Sequence, residues 1–269
     1  MLSLPSLEMF TRVGFAARGL MYVVIGYLAL RFGQAESGEG ALATLAEGSG
    51  KLLLGIMALG FAAYGVWRLS EALVDTEGHG TDAKGKAARI GGALSGVVHL
   101  GLAIVAANLA FGRGGGQGSG GGGGQSGAEQ GAATALALPG GSLLLLVAGA
   151  ALIGVGLWQL VRAAKADFLR HLDGRVAGEA WVKWLGRGGY AARGLVFAII
   201  GWSLLQAGLS DSAARAGGME QALASLSGTL LSAVALGLLL FGLFSLVEAR
   251  YRRINDPKVA ARLKGAVRA

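Results

Sequence analysis

Residues 12–19 read R-V-G-F-A-A-R-G, and residues 187–194 read R-G-G-Y-A-A-R-G. A weaker copy, R-I-G-G-A-L-S-G, occupies residues 89–96. Each copy opens a run of Leu, Ala, Val and Gly. Three further runs of the same kind alternate with these, giving candidate spans at 12–33, 50–74, 89–111, 142–165, 187–208 and 228–250. Each is about 20 residues, which at 1.5 Å per residue crosses about 30 Å of hydrocarbon. Backbone polar groups in lipid must be satisfied within the segment, so each run is expected to be a helix. The fold class that follows is all-α: a polytopic membrane protein of six transmembrane helices, arranged as three tandem helical hairpins in a pseudo-threefold bundle.

Composition agrees. Of 269 residues, 53% are hydrophobic and only 15% are charged, against about 25% charged in soluble domains. Mean hydropathy is +0.56. One membrane domain accounts for this length. The chain has no cysteine, which excludes disulfides, thiolate metal sites and cysteine nucleophiles. Residues 1–10 lack the basic n-region of a signal peptide, so the first apolar run is read as a mature span. The formal charge of +8 would suggest nucleic acid in a soluble protein. Here it reads as the bias of Lys and Arg toward cytoplasmic loops, and no nucleic-acid partner is expected. All Lys and Arg lie at one set of helix ends except Arg31, Lys51, Arg113 and Arg215, where Glu36, Glu39, Glu47, Glu129, Asp211 and Glu220 outnumber them. Both termini are therefore expected in the cytoplasm, as an even number of spans requires.

The repeats, 9–75, 86–166 and 184–252, align without gaps inside the spans. First helices share Arg12/Arg89/Arg187, Gly14/Gly91/Gly189 and Gly19/Gly96/Gly194. Second helices share Gly65/Gly156/Gly242, Trp67/Trp158/Phe244 and Ala72/Ala163/Ala249. An Ala-Leu element precedes each second helix: A-L-A-T-L, T-A-L-A-L and A-L-A-S-L. Glycine in membrane helices marks close backbone approach, because lipid tails are as apolar as leucine. Residues 112–131 are a Gly/Ser/Gln run and read as a flexible loop. They do not form a phosphate loop, since no strand precedes them and no Lys-Ser/Thr ends them. Residues 167–183 and the basic tail 253–269 are amphipathic, and read either as solvated segments or as segments on an anionic lipid surface.

The R-x-G-[YF]-A-A-R-G unit, its three copies, and the sequence G-V-W-R-L-S-E-A at 65–72 resemble a bacterial family of six-helix membrane proteins known as domain of unknown function 1206. The resemblance covers nearly the whole chain. The middle copy departs from it, with Ser95 in place of the arginine and Gly92 in place of the aromatic residue. The resemblance implies the fold and a bacterial cytoplasmic (inner) membrane. It brings no substrate, cofactor or mechanism.

The residues that could carry chemistry are the few ionisable ones inside the spans. Arg18 and Arg193 lie about 9 Å further along their helices than Arg12 and Arg187. Glu71 and Glu248 lie near the same depth on the partner helices. Ion pairs Arg18–Glu71 and Arg193–Glu248 are expected, since an unpaired charge there costs about 2.5–3.5 kcal/mol. In the middle hairpin Ser95 replaces the arginine and Arg162 the glutamate, so Arg162 is expected to reach a neighbouring hairpin's glutamate. His99 stands about 15 Å into its span, with Ser95 one turn back. It is either a neutral histidine bonded to Ser95 or a backbone carbonyl, or part of a polar path. Arg12, Arg89 and Arg187 are expected to meet lipid headgroups at the interface.

Two functional readings follow. One is permeation or binding of a small solute, ion or lipid at the bundle axis, through Arg18, Glu71, Ser95, His99, Arg162, Arg193 and Glu248. The other is a structural or accessory membrane protein whose charges only hold helices together. No catalytic group, metal set or cofactor site is legible, and enzyme chemistry is not expected. Membrane lipids, anionic on the cytoplasmic side, are the expected partners.

Overall fold

The computed structural model describes residues 4–33, 38–46, 50–75, 80, 82–112 and 127–252. Most of the expected 112–131 loop and the 253–269 tail lie outside them. Among the described residues there are ten α-helices: α1 Leu4–Phe32, α2 Gly38–Ala46, α3 Lys51–Val74, α4 Ala83–Ala110, α5 Gly127–Leu136, α6 Gly141–Lys165, α7 Gly174–Ala177, α8 Ala180–Leu209, α9 Met219–Ala224 and α10 Gly228–Tyr251. Six of these, α1, α3, α4, α6, α8 and α10, are long and apolar enough to cross a membrane. The chain is thus an all-α, multi-pass membrane protein by length and composition.

Helices α1, α4 and α8 start before the apolar runs do. The sequence marks their openings at Arg12, Arg89 and Arg187, yet they begin at Leu4, Ala83 and Ala180. A membrane boundary does not end a helix, and the flanking Ala, Lys and Leu residues are good helix formers. Asp82 caps α4 by accepting from the Gly85 N–H at 2.8 Å. Helix α5 takes in residues 127–131 of the expected loop, with Glu129 in its first turn, where carboxylates favour the helix dipole. The three Ala-Leu elements supply α2, α5 and α9, which bury Leu42, Ala132 and Leu223.

The three most extensive helix packings join successive repeats: α4 on α3, α8 on α6, and α1 on α10, which closes the circle. Two glycines face each other in each of these interfaces. They are Gly65 with Gly96, Gly156 with Gly194, and Gly19 with Gly242. A Cβ at any of the six would stand within 3.0 Å of the opposite glycine's carbonyl oxygen. The backbones can approach this closely only because no side chain intervenes.

Packing within a repeat separates the middle hairpin from the others. Helices α1 and α3 pack together, as do α8 and α10, but α4 and α6 have no packing of that order. In repeats one and three the contacts are small against large. Gly14 lies under Tyr64 and Gly189 under Phe241, where a Cβ would come within 2.4 Å and 2.5 Å of them. Gly60 admits Ala17, and Gly237 admits Ala192. At the equivalent positions the middle repeat has Gly91 and Val155, and Leu94 and Ala151. Nothing lies within 4 Å of a Cβ at Gly91. The equivalent positions Met21 and Val196 are 5% and 0% exposed, whereas Val98 is 60% exposed. A leucine replaces the close-fitting alanine, and no aromatic ring fills the space, so the middle hairpin stands open.

Residues 167–183 are neither one continuous helix nor wholly exposed. They fold as a 3-10 turn, Asp167–His171, followed by α7. Phe168 is fully buried. It stacks on Tyr190 with centroids 5.1 Å apart and meets Phe244 edge-on at 4.9 Å. Leu172 and Val182 are buried as well, and an antiparallel bridge links Leu172 to Arg252. This segment closes the basic end of the bundle, because removing Phe168, Leu172 and Val182 from water is favourable.

Candidate functional site

The repeat register places three equivalent polar positions at each inter-repeat interface. The first helix contributes Arg18, Ser95 or Arg193. The second helix of the preceding repeat contributes Ser245 and Glu248, Arg68 and Glu71, or Gln159 and Arg162. Residues three apart share a helix face, so each pair from a second helix points the same way.

The interface of α1 with α10 is fully paired. Arg18 donates through Nη2 to Glu248 Oε2 at 2.8 Å and to Ser245 Oγ at 3.1 Å, and through Nη1 to Tyr64 Oη at 2.9 Å. Its guanidinium also lies 4.4 Å from the Phe15 ring centroid and 5.1 Å from that of Phe241. Arg252 donates to the other oxygen of Glu248 at 3.0 Å and lies over Phe15 and Trp67. Arg18, Ser245 and Glu248 are all buried. Charges removed from water in this way persist only when each is bonded. The expected Arg18–Glu71 pair is not formed. Arg18 takes its carboxylate from α10, across the Gly19–Gly242 contact, and only the Tyr64 hydroxyl from α3.

At the interface of α4 with α3, Ser95 stands where the first helices of the other repeats carry Arg18 and Arg193. Glu71 is buried and pairs with Arg68 one turn back on its own helix. His99 donates or accepts through Nδ1 at 2.7 Å from the Ser95 carbonyl oxygen. A carbonyl only accepts, so Nδ1 carries the proton. The Ser95 hydroxyl is not the partner. His99 packs on Tyr64 with centroids 4.5 Å apart.

The interface of α8 with α6 is the exception. Arg193 donates to Tyr22 Oη at 3.2 Å and to Gln159 Oε1 at 3.4 Å. Its guanidinium also lies 4.7 Å and 5.0 Å from the centroids of Phe197 and Phe241. The expected Arg193–Glu248 pair is absent: the two oxygens of Glu248 are taken by Arg18 and Arg252, and Arg193 packs on Phe241 instead. Arg162, equivalent to Glu248, reaches no glutamate. It stacks on Trp158 and Tyr190, at 4.7 Å and 4.9 Å from their centroids. Among the described residues no carboxylate stands within ion-pair distance of Arg193 or Arg162. Gln159 is 2% exposed, and its Nε2 has no hydrogen-bond partner among the described residues. Arginine can only donate, which sets the amide orientation and leaves that N–H₂ group free. The interface of α8 with α6 thus carries two guanidinium groups with no carboxylate partner among the described residues, and one unsatisfied amide donor. Donors in this arrangement match a carboxylate or a phosphate.

The interfacial arginines cap helices. Arg89 donates to the carbonyls of Ala72 and Leu73 at 2.7 Å and 3.0 Å, and Arg187 to that of Ala164 at 3.0 Å. These are the last carbonyls of α3 and α6, which otherwise lack partners. Arg12 is half-buried. A shallow apolar groove of about 580 Å³ runs past Trp184, Arg187 and Leu240 at the same end of the bundle, away from the polar cluster. Among the described residues no group of three or more acidic or histidine side chains is placed to hold a metal ion.

Tyr64, Ser245, Tyr22, Gln159 and Arg252 were not singled out from the sequence. The signal was present for two of them. Gln159 and Ser245 are the polar residues one turn from Arg162 and Glu248 on otherwise apolar helix faces.

The chain matches, at residues 13–75, 90–166 and 188–252, the profile of a family described as Domain of Unknown Function (DUF1206). The three segments correspond to the three repeats. It is also similar to a protein of Bacillus subtilis (strain 168) described as uncharacterized protein YxxB, with 31% identity over 267 residues and coverage of 94% of each chain. No solved structure matches it. The chain therefore belongs to the DUF1206 family of membrane proteins.

Proposed function

We propose that this protein is a binding protein of the bacterial inner membrane, with its basic end in the cytoplasm, and that it holds a small anionic group at Arg193, Gln159 and Arg162. One observation carries the reading. The repeat position that holds Glu248 beside Arg18 holds Arg162 in the middle repeat, so among the described residues one of two equivalent arginines has a carboxylate partner and the other has none. An unpaired charge in a bilayer is costly, and an anion from outside the chain offsets that cost. Binding is favoured over permeation by the filling of the axis. Phe241 is fully buried there, with Arg18, Arg193 and Tyr22 all packed against its ring. The structural reading keeps a place at the Arg18–Glu248–Arg252 network, which is already satisfied and acts as a staple.

The test uses the purified full chain in a nonionic detergent, stripped of lipid. Inorganic phosphate and acidic phospholipid are each titrated while the melting temperature is followed. At least one of them is expected to stabilise the wild type and to lose its effect on Arg162→Glu, which puts the missing carboxylate in place. No stabilisation by either, or equal stabilisation of the variant, would overturn the reading.

A further inference from the structure

We infer that the anion is the phosphate of an acidic phospholipid, and that the lipid reaches the site sideways, between α4 and α6. This rests on the reading that the site holds an anion. It adds the source of that anion and its route.

The route follows from which sides of the site are closed. From the basic end, the aqueous approach is filled by Phe168, Tyr190 and Phe244 in mutual contact. Toward the axis, Phe241 and Tyr22 are in edge contact at 4.9 Å. Between α8 and α6 the backbones meet at Gly194 and Gly156, too closely for any ligand. The open side is the middle hairpin. Its walls are Leu94 and Val98 on α4, and Ala151 and Val155 on α6, all exposed, and they face hydrocarbon rather than water. A soluble anion would have to shed its water and cross that apolar gap. A lipid already in the leaflet would not.

The dimensions agree with a phospholipid. Arg162 lies one turn before the last residue of α6, Lys165, hence about 5 Å from the helix end, where a phosphate of the leaflet sits. Gln159 lies a further turn inward on the same face. Arg193 reaches Gln159 from α8. The phosphate is held by Arg162 at its own level and drawn inward by the Gln159 amide and Arg193. The acyl chains run toward the opposite face in the cleft that Leu94 and Val155 leave open. An acidic lipid is favoured over a zwitterionic one because its headgroup adds no cation beside two guanidinium groups.

The full chain, delipidated in nonionic detergent, is mixed with phosphatidylglycerol or phosphatidylcholine of the same chain length, and retained lipid is counted by native mass spectrometry. Inorganic phosphate is titrated in parallel, with the melting temperature as readout. Wild-type protein is expected to retain a single phosphatidylglycerol, at least about tenfold over phosphatidylcholine, as the loss of one charge-assisted contact would imply. Val155→Trp restores the bulk found at Tyr64 and Phe241, and Gly91→Phe fills the opposite wall, where there is open space. Both are expected to reduce retention about tenfold, and having two variants guards against misfolding of either one. Stabilisation by inorganic phosphate without selective retention of phosphatidylglycerol would overturn this inference and leave the anion site standing. Undiminished retention in both filled variants would overturn the route. Absence of both effects would overturn the anion site as well.

Discussion

Arg18 and Arg193 occupy the same place in repeats one and three, within the same A-A-R-G sequence, yet they have opposite surroundings. Arg18 is buried and holds a glutamate, a serine and a tyrosine hydroxyl. Arg193 is half-buried and holds a phenol and an amide, with a second arginine where the glutamate would be. A repeat thus conserves the position of a charge without conserving its compensation. What compensates it belongs to the preceding repeat, and repeats one and three follow different ones. Arg18 meets α10 of repeat three. Arg193 meets α6 of the middle repeat, the one that departs from the pattern.

The contrast can be broken most severely at Glu248. Replacing it by alanine leaves Arg18 without its carboxylate in a buried site, and should cost about 3–5 kcal/mol, read as a loss of unfolding free energy in detergent. Arg193→Gln removes weaker bonds and should cost only about 1 kcal/mol. Equal losses would mean that the two arginines are not differently paired.

The backbone half of the comparison is tested at glycine. Gly242→Ala forces a Cβ to within 2.7 Å of the Gly19 oxygen, and overpacking of this kind costs about 1–3 kcal/mol. Arg162→Glu should instead raise stability by about 1 kcal/mol, by giving Arg193 the partner that Arg18 has. A fall in melting temperature would show that Arg162 does not face Arg193. The smallest effect is expected at Gly91→Ala, within about 0.5 kcal/mol of wild type, because its Cβ meets open space. A loss there as large as at Gly242 would mean that the middle hairpin closes.

Much of the fold was legible because lipid imposes simple rules. Six apolar runs, the sided charges and the repeated glycines required only length and composition. The short α2, α5 and α9 fall on or beside the Ala-Leu elements, although residues 127–131 of α5 read as loop. The ion pairs were misassigned for a physical reason. A hairpin suggests that its two helices are each other's main partners, whereas Gly19–Gly242, Gly65–Gly96 and Gly156–Gly194 draw each first helix onto the repeat before it. The burial of Phe168, Leu172 and Val182 was not legible, because the amphipathic pattern of 167–183 fits a solvated segment, a membrane surface and a bundle cap equally well. Phe168 goes to the cap because Gly186 leaves room for its ring, which would lie within 2.1 Å of a Cβ there.

The sequence by itself determined the class, the six spans, the threefold repeat and the few ionisable residues worth suspecting, since each follows from the cost of placing polar groups in hydrocarbon. Only the tertiary structure decided which charges are satisfied. Pairing depends on contacts between residues 34 to 230 positions apart, and these are set by where the glycines let backbones touch.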